Sequence, residues 1–286
     1  SNKMGGIHNL AAIEFLQNLN SFVNKKYPGV MMIAEESTSW PKVTAAVEHD
    51  GLGFNFKWNM GWMNDSLSYL STDPLFRKGI HNKMTFSLTY AFSENYILPI
   101  SHDEVVHGKK SVLDRAEVEF EDKFKNMRAF LAYMYAHPGK KLTFMGCDLS
   151  QVIEWDESKE LDWLLLDYPL HKMNNRFIKE LNKIYSSTPM LWEKDTSWDG
   201  FKWNIVNDDN NNIFSFTRLD NKKRELLVVS NFSSQHLKKY KIGLDSKKKY
   251  KILLNTDAKK YGGEGLVNRN IESIDEEHNG FKYHIN

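Results

Sequence analysis

One cysteine, seven prolines and no long apolar run bound what this 286-residue chain can be. Cys147 stands alone, which excludes an intrachain disulfide. With no secretory signal in view, a reducing, cytoplasmic setting is expected. No segment approaches the ~20 apolar residues that span a bilayer, so a membrane partner is not expected. Neither charge dominates: 38 Lys and Arg face 37 Asp and Glu, a net +1. That balance gives no electrostatic footing for nucleic acid.

Aromatic residues are plentiful at 13%, with eight Trp. They serve core packing or act as platforms for sugar rings. Hydrophobic periodicity predicts a helix from the Asn9 cap to about Lys25, with Leu10, Ile13, Leu16, Leu19 and Phe22 on one face. Pro28-Gly29 ends it, and a buried strand over 30–34 runs into Glu35. Further strands are predicted over 54–58, 96–100 and 141–145, with helices near 61–69, 82–92, 122–137 and 170–186. Four strand–helix units in series predict a parallel sheet with outer helices, half of an eightfold barrel. From about Met190 the texture becomes β-rich, with Asn, Asp, Lys and Gly turns between short strands, ending in one predicted over 250–254. This part reads as an all-β sandwich. The fold class is therefore α/β plus all-β, divided near Thr188-Pro189.

Two clusters carry the chemistry. Ile33-Ala34-Glu35-Glu36-Ser37-Thr38 and Pro99-Ile100-Ser101-His102-Asp103-Glu104-Val105-Val106-His107-Gly108-Lys109 each end an apolar run with acidic groups. A parallel barrel delivers carboxylates to the rim in this way. Carboxylates on neighbouring strand ends suit glycosidic-bond chemistry, in which one group is an acid and another a nucleophile. Glu35 and Glu36 point opposite ways along an extended strand end, so only one faces the mouth. Glu35, with Ile33 and Ala34 behind it, is the expected proton donor in a partly desolvated place. His102-Asp103 would supply a neutral donor and an anion beside an oxocarbenium-like centre. His102, His107, Glu35 and Asp103 are also conceivable zinc ligands. No H-E-x-x-H pattern or Cys cluster accompanies them, so neither metal nor cofactor is expected.

These clusters, with Lys57-Trp58-Asn59-Met60-Gly61-Trp62-Met63-Asn64-Asp65, resemble bacterial 1,4-α-glucan (glycogen) branching enzymes of the α-amylase superfamily. Glu154-Trp155, Leu161-Asp162-Trp163, Ser230-Asn231-Phe232 and Leu254-Asn255-Thr256-Asp257 extend the likeness across nearly the whole chain. The resemblance implies a retaining enzyme that cleaves an α-1,4 link of glycogen and transfers the chain to a 6-hydroxyl. It makes Glu35 the proton donor, Asp103 the transition-state stabiliser and His102 its substrate-binding neighbour. Trp58, Trp62, His107 and Lys109 become candidate glucan contacts, although packing beneath the rim suits the two tryptophans equally.

The family's nucleophile is the Asp of an Arg-x-Asp-Ala-Val motif, and these 286 residues contain no such motif. Gly146-Cys147-Asp148-Leu149 stands where the family has Gly-Asn-Glu-Phe. The expectation is thus a carboxyl-terminal portion. Residues 1–189 would form strands five to eight of a TIM (β/α)8 barrel, and 190–286 the carboxyl-terminal β-sandwich. Such a portion would be inactive alone, and would self-associate or need the amino-terminal half. Alternatives are a non-catalytic glucan-binding fragment and an α-amylase-type hydrolase.

Overall fold

A computed structural model describes residues 2–266 and 271–286. Asn9 caps α1 (Leu10–Lys26), its Oδ1 accepting the amide of Ala12 at 3.1 Å. Three amide side chains on one face of α1 tie it to the loop beneath. Gln17, Asn20 and Asn24 donate to the carbonyls of Gly51, Leu52 and Gly53 at 3.0, 2.7 and 3.2 Å. The apolar face expected to pack is largely open, and Asn20 is the only fully buried residue of the helix.

β1 (Ile33–Ala34) is shorter than expected because only these two residues pair with a neighbour. β2 (Phe56–Trp58) leads directly into α2 (Met60–Ser71), whose cap is the Asn59 side chain accepting from Trp62 N at 2.9 Å. The helix expected over 82–92 is absent; two 3-10 segments, Arg77–Met84 and Phe86–Thr89, take its place. Tertiary anchoring explains the difference. Arg77 is fully buried without a carboxylate, its guanidinium donating to the carbonyls of Thr72, Leu70 and Phe232 and to Asn126 Oδ1. Holding those carbonyls takes precedence over continuing a regular helix.

β3 (Tyr96–Ile100), α3 (Phe120–Ala136), β4 (Lys140–Thr143) and α4 (Pro169–Ser187) complete this part. The four strands are parallel and ordered β1-β2-β3-β4, with Ala34 opposite Lys57, Trp58 opposite Ile97 and Ile100 opposite Thr143. Sequential order without reversal is not that of a doubly wound sheet. All four strands therefore finish at one edge.

Beyond α4 the chain is all-β: β5 (Phe201–Asp208), β6 (Ile213–Leu219), β7 (Glu225–Asn231), β8 (Ile242–Leu244), β9 (Lys249–Tyr250), β10 (Ile271–Glu272) and β11 (Tyr283–Ile285). The first three form an antiparallel meander; β8 pairs with β11, and β9 with β10. Among the described residues, hydrogen bonding thus gives a meander and two ribbons where a two-sheet sandwich was expected. The strand predicted over 250–254 stops at Tyr250.

The two parts share one core. Tyr133 of α3 meets Phe214 and Phe216 of β6, each at 5.8 Å between ring centres. Phe130, Phe214, Phe216 and Phe232 are all essentially buried in that cluster. Below it, Arg218 of β6 donates to Ala136 O at 2.6 Å and to Asp195 Oδ1 at 2.7 Å, with no exposure of its own. The passage from α/β to all-β lies between Ser187 and Phe201.

Candidate active site

Each parallel strand hands the chain to a loop at the shared edge, and polar groups gather there. After β1 come Glu35 and Glu36, and they have different fates. Glu36 accepts from Lys57 Nζ at 2.6 Å and from Thr38 N at 2.7 Å. Partial burial opposes its charge, yet those two donors hold its carboxyl below the usual range. Lys57 itself is 5% exposed, so this pair bridges β1 and β2 from within. Glu35 is exposed and takes no hydrogen bond among the described residues. The structure therefore separates a structural carboxylate, Glu36, from a free one, Glu35. The apolar surroundings expected around Glu35 are not supplied by the described residues.

β3 ends at Ile100, and Ser101 opens a single 3-10 turn, His102–Glu104. Glu104 is buried at 3% exposure and caps this turn, accepting from Ser101 N at 2.6 Å and Ser101 Oγ at 2.7 Å. The capping box fixes the direction in which the preceding two side chains leave the strand. His102 Nε2 and Asp103 Oδ1 stand 3.2 Å apart, both about half exposed. An imidazole and a carboxylate are thus presented side by side to solvent.

β2 lies between β1 and β3. Glu35 and Asp103 consequently leave next-but-one strands rather than the neighbouring ones expected. Two ladder spacings place those strand axes about 9–10 Å apart.

The other candidates divide. Trp62 is 1% exposed, stacked on Phe130 with ring centres 6.2 Å apart, in the layer between α2 and α3. It has no face to offer a ligand, which corrects its place among the glucan contacts. The cause is helix phase: counted from the Asn59 cap, Trp62 falls on the inward face with Met63, Ser66 and Leu70. Trp58 at the end of β2 is half-buried. His107 and Lys109 are exposed on the loop beyond Asp103, and Lys109 Nζ donates to the Asp103 carbonyl at 2.7 Å.

Sequence reasoning assigned no role to Glu154, which accepts from the amides of Gly108 and Lys110 at 3.1 and 2.7 Å. It also missed Phe144, whose ring centre lies 6.0 Å from that of His102. Both contacts join residues more than forty positions apart, and no local signal announces them. Cys147 is buried and its thiol is pushed up to about 12, so it is not a nucleophile. Among the described residues no three His, Cys, Asp or Glu side chains converge as a metal site requires. A cavity of about 870 Å3 lies on the all-β part beside Asp208, His236, Tyr240 and His278, and shares no residue with the strand ends.

Residues 203–286 match the family model described as alpha amylase, C-terminal all-beta domain. The chain is 49% identical over 268 residues to 1,4-alpha-glucan branching enzyme GlgB 1 of Clostridium perfringens strain SM101, covering 93% of this chain and 40% of that enzyme. It is 48% identical to the branching enzyme of Geobacillus stearothermophilus, covering 97% of this chain and 44% of that one. The Oceanobacillus iheyensis branching enzyme is 46% identical over 99% of this chain. In three dimensions it superposes on type I pullulanase of Bacillus subtilis with a TM-score of 0.66 at 13% identity, over 96% of this chain and 41% of that structure. An Anoxybacillus alpha-amylase gives 0.56 at 14% identity. These structural likenesses, at such low identity, speak for the fold alone. Over nearly its whole length the chain is homologous to bacterial 1,4-α-glucan branching enzymes, of which it spans about two-fifths.

Proposed function

We propose that this chain supplies the acid and electrostatic half of a branching-enzyme active site, built on the carboxyl-terminal half of a (β/α)8 barrel. Glu35 donates its proton to the leaving glycosidic oxygen and then, as a carboxylate, takes a second proton from the acceptor 6-hydroxyl. Asp103 stabilises the oxocarbenium-like centre, with the neighbouring His102 bonding sugar hydroxyls. Trp58, His107 and Lys109 contact the glucan. The nucleophile, which must carry the covalent glycosyl intermediate, comes from residues outside these 286.

One observation carries this reading. In an unreversed parallel sheet, Glu35, without a hydrogen bond among the described residues, and the paired His102 and Asp103 leave the same edge, two strands apart. Separation of Glu36 from Glu35 by its ion pair with Lys57 supports the choice of donor.

The same architecture leaves two sheet edges open. Phe15 and Phe22 on α1, and Val30, Met31 and Ile33 in and just before β1, are each between 41% and 63% exposed. β1 and β4 each lack a partner on one side among the described residues. Apolar patches next to unpaired strands associate with another chain. The other barrel half is the occupant proposed here. The direct test incubates the 286-residue chain with amylose, alone and joined in one polypeptide to a half that bears an Arg-x-Asp-Ala-Val segment. No turnover alone and branching when joined is the expected result; turnover by the chain alone that is lost in Glu35→Gln would refute it.

A further inference from the structure

The loop after β3 adopts a form that its sequence does not favour. His107, Gly108 and Lys110 have φ values of 58°, 81° and 66°, all left-handed, and two of them lack the freedom of glycine. Such residues persist only where neighbours over-determine them, and they gather at functional sites.

The neighbour here is a segment beyond β4, contributed by the next barrel unit. Glu154 spans the loop, with Oε2 accepting from Gly108 N at 3.1 Å and Oε1 from Lys110 N at 2.7 Å. Trp155 donates its own amide to Val105 O at 3.0 Å. The Trp155 ring stands edge-on to Phe144 with centres 5.0 Å apart, and Phe144 in turn flanks His102. Lys109, held between the two clamped amides, reaches back to the Asp103 carbonyl. One dipeptide therefore grips the loop by its backbone and braces His102 through Phe144.

We propose that Glu154 and Trp155 are positioning residues for His102 and Asp103, fixing the loop that carries them against the adjacent strand's loop. This role presupposes that Asp103 is the transition-state stabiliser. Glu154 is solvent-accessible, so packing does not explain its place. The Gly108 amide, then that of Lys110, holds its carboxyl below the usual range, as a clamp working in its charged form requires. The effect on rate follows from geometry, since a displacement of about 1 Å at a reacting centre can cost about 100-fold.

The test uses Glu154→Ala, Glu154→Asp and Glu154→Gln in the joined polypeptide and in the 286-residue chain. In the joined polypeptide, Glu154→Ala is expected to lower kcat about 100-fold with KM little changed. Glu154→Gln, which keeps one accepting oxygen, should fall between it and the parent, and Glu154→Asp should recover part of the loss. In the chain alone, Glu154→Ala should speed amide exchange at Gly108 and Lys110 at least about tenfold, leave exchange in α3 unchanged, and move the ring resonances of His102. Invariant His102 resonances with released amides would overturn the proposal. So would a fall in kcat matched by global destabilisation. If the joined parent shows no turnover, the catalytic assignment fails. The exchange and His102 measurements then decide the clamp by themselves.

Discussion

Glu36 and Lys57 close a 2.6 Å ion pair between the first two parallel strands, with the lysine almost wholly inside. Removing the carboxylate leaves a buried ammonium whose remaining partner is the Thr38 carbonyl at 3.1 Å. Glu36→Gln should therefore cost about 1–2 kcal/mol, the worth of a charge-assisted bond discounted for a partly exposed partner. Because folding lowers the Glu36 pKa, its contribution is present above the ordinary carboxyl value and fades as pH falls through the lower folded one. Urea unfolding at pH 7 and at pH 3 checks both statements: the gap between parent and variant should narrow at the lower pH.

The two tryptophans near the strand ends should behave differently. Trp62→Ala removes a buried ring from the layer between α2 and α3 and should cost about 3–5 kcal/mol. Trp58→Ala, at a half-buried rim position, should leave the unfolding midpoint near that of the parent and weaken binding of a linear maltooligosaccharide. Paired thermal melts and calorimetric titrations of both variants separate the roles.

The shared core predicts joint unfolding. Arg218 and Asp195 are 0% and 4% exposed at their side chains, and Lys140 reaches the second Asp195 oxygen at 3.0 Å. Asp195→Asn would strand a buried guanidinium and should cost about 3–5 kcal/mol. The α/β and all-β parts should nevertheless unfold in one transition, before and after the change, because Tyr133 of one packs with Phe214 and Phe216 of the other in a single cluster. Far-ultraviolet circular dichroism and tryptophan fluorescence should give coincident curves; separate midpoints would contradict a common core.

Phe15 and Phe22 on α1 and Met31 just before β1, at 54% to 63% exposure, should drive concentration-dependent association of the chain alone. Phe15→Ser combined with Met31→Ser should lower the mass measured by sedimentation. A monomer at all concentrations before substitution would show that this face needs no cover.

How much of this was legible in the sequence varies with range. Local signals were dependable: Asn9 starts a helix, Pro28-Gly29 follows its end, and the apolar runs before Glu35 and His102 are the first and third strands. The 3-10 path through Arg77–Thr89 was not visible, because it follows from guanidinium contacts as remote as Phe232. Strand alternation separates the directions of Glu35 and Glu36, but the ion pair that holds Glu36 needs Lys57, opposite Ala34 in register and 21 residues away. The burial of Trp62 could have been found by counting helix phase from its cap. Glu154 could not, since its partners lie 44 and 46 residues away and are backbone amides of no distinctive type.

The most direct trial of Glu35 and Asp103 is proton NMR of amylose treated with the joined polypeptide, following the anomeric signal of new α-1,6 links. The parent should raise that signal with little growth in reducing ends, and Glu35→Gln and Asp103→Asn should each abolish it. New reducing ends without new α-1,6 links, or undiminished branching in either variant, would contradict the assignment.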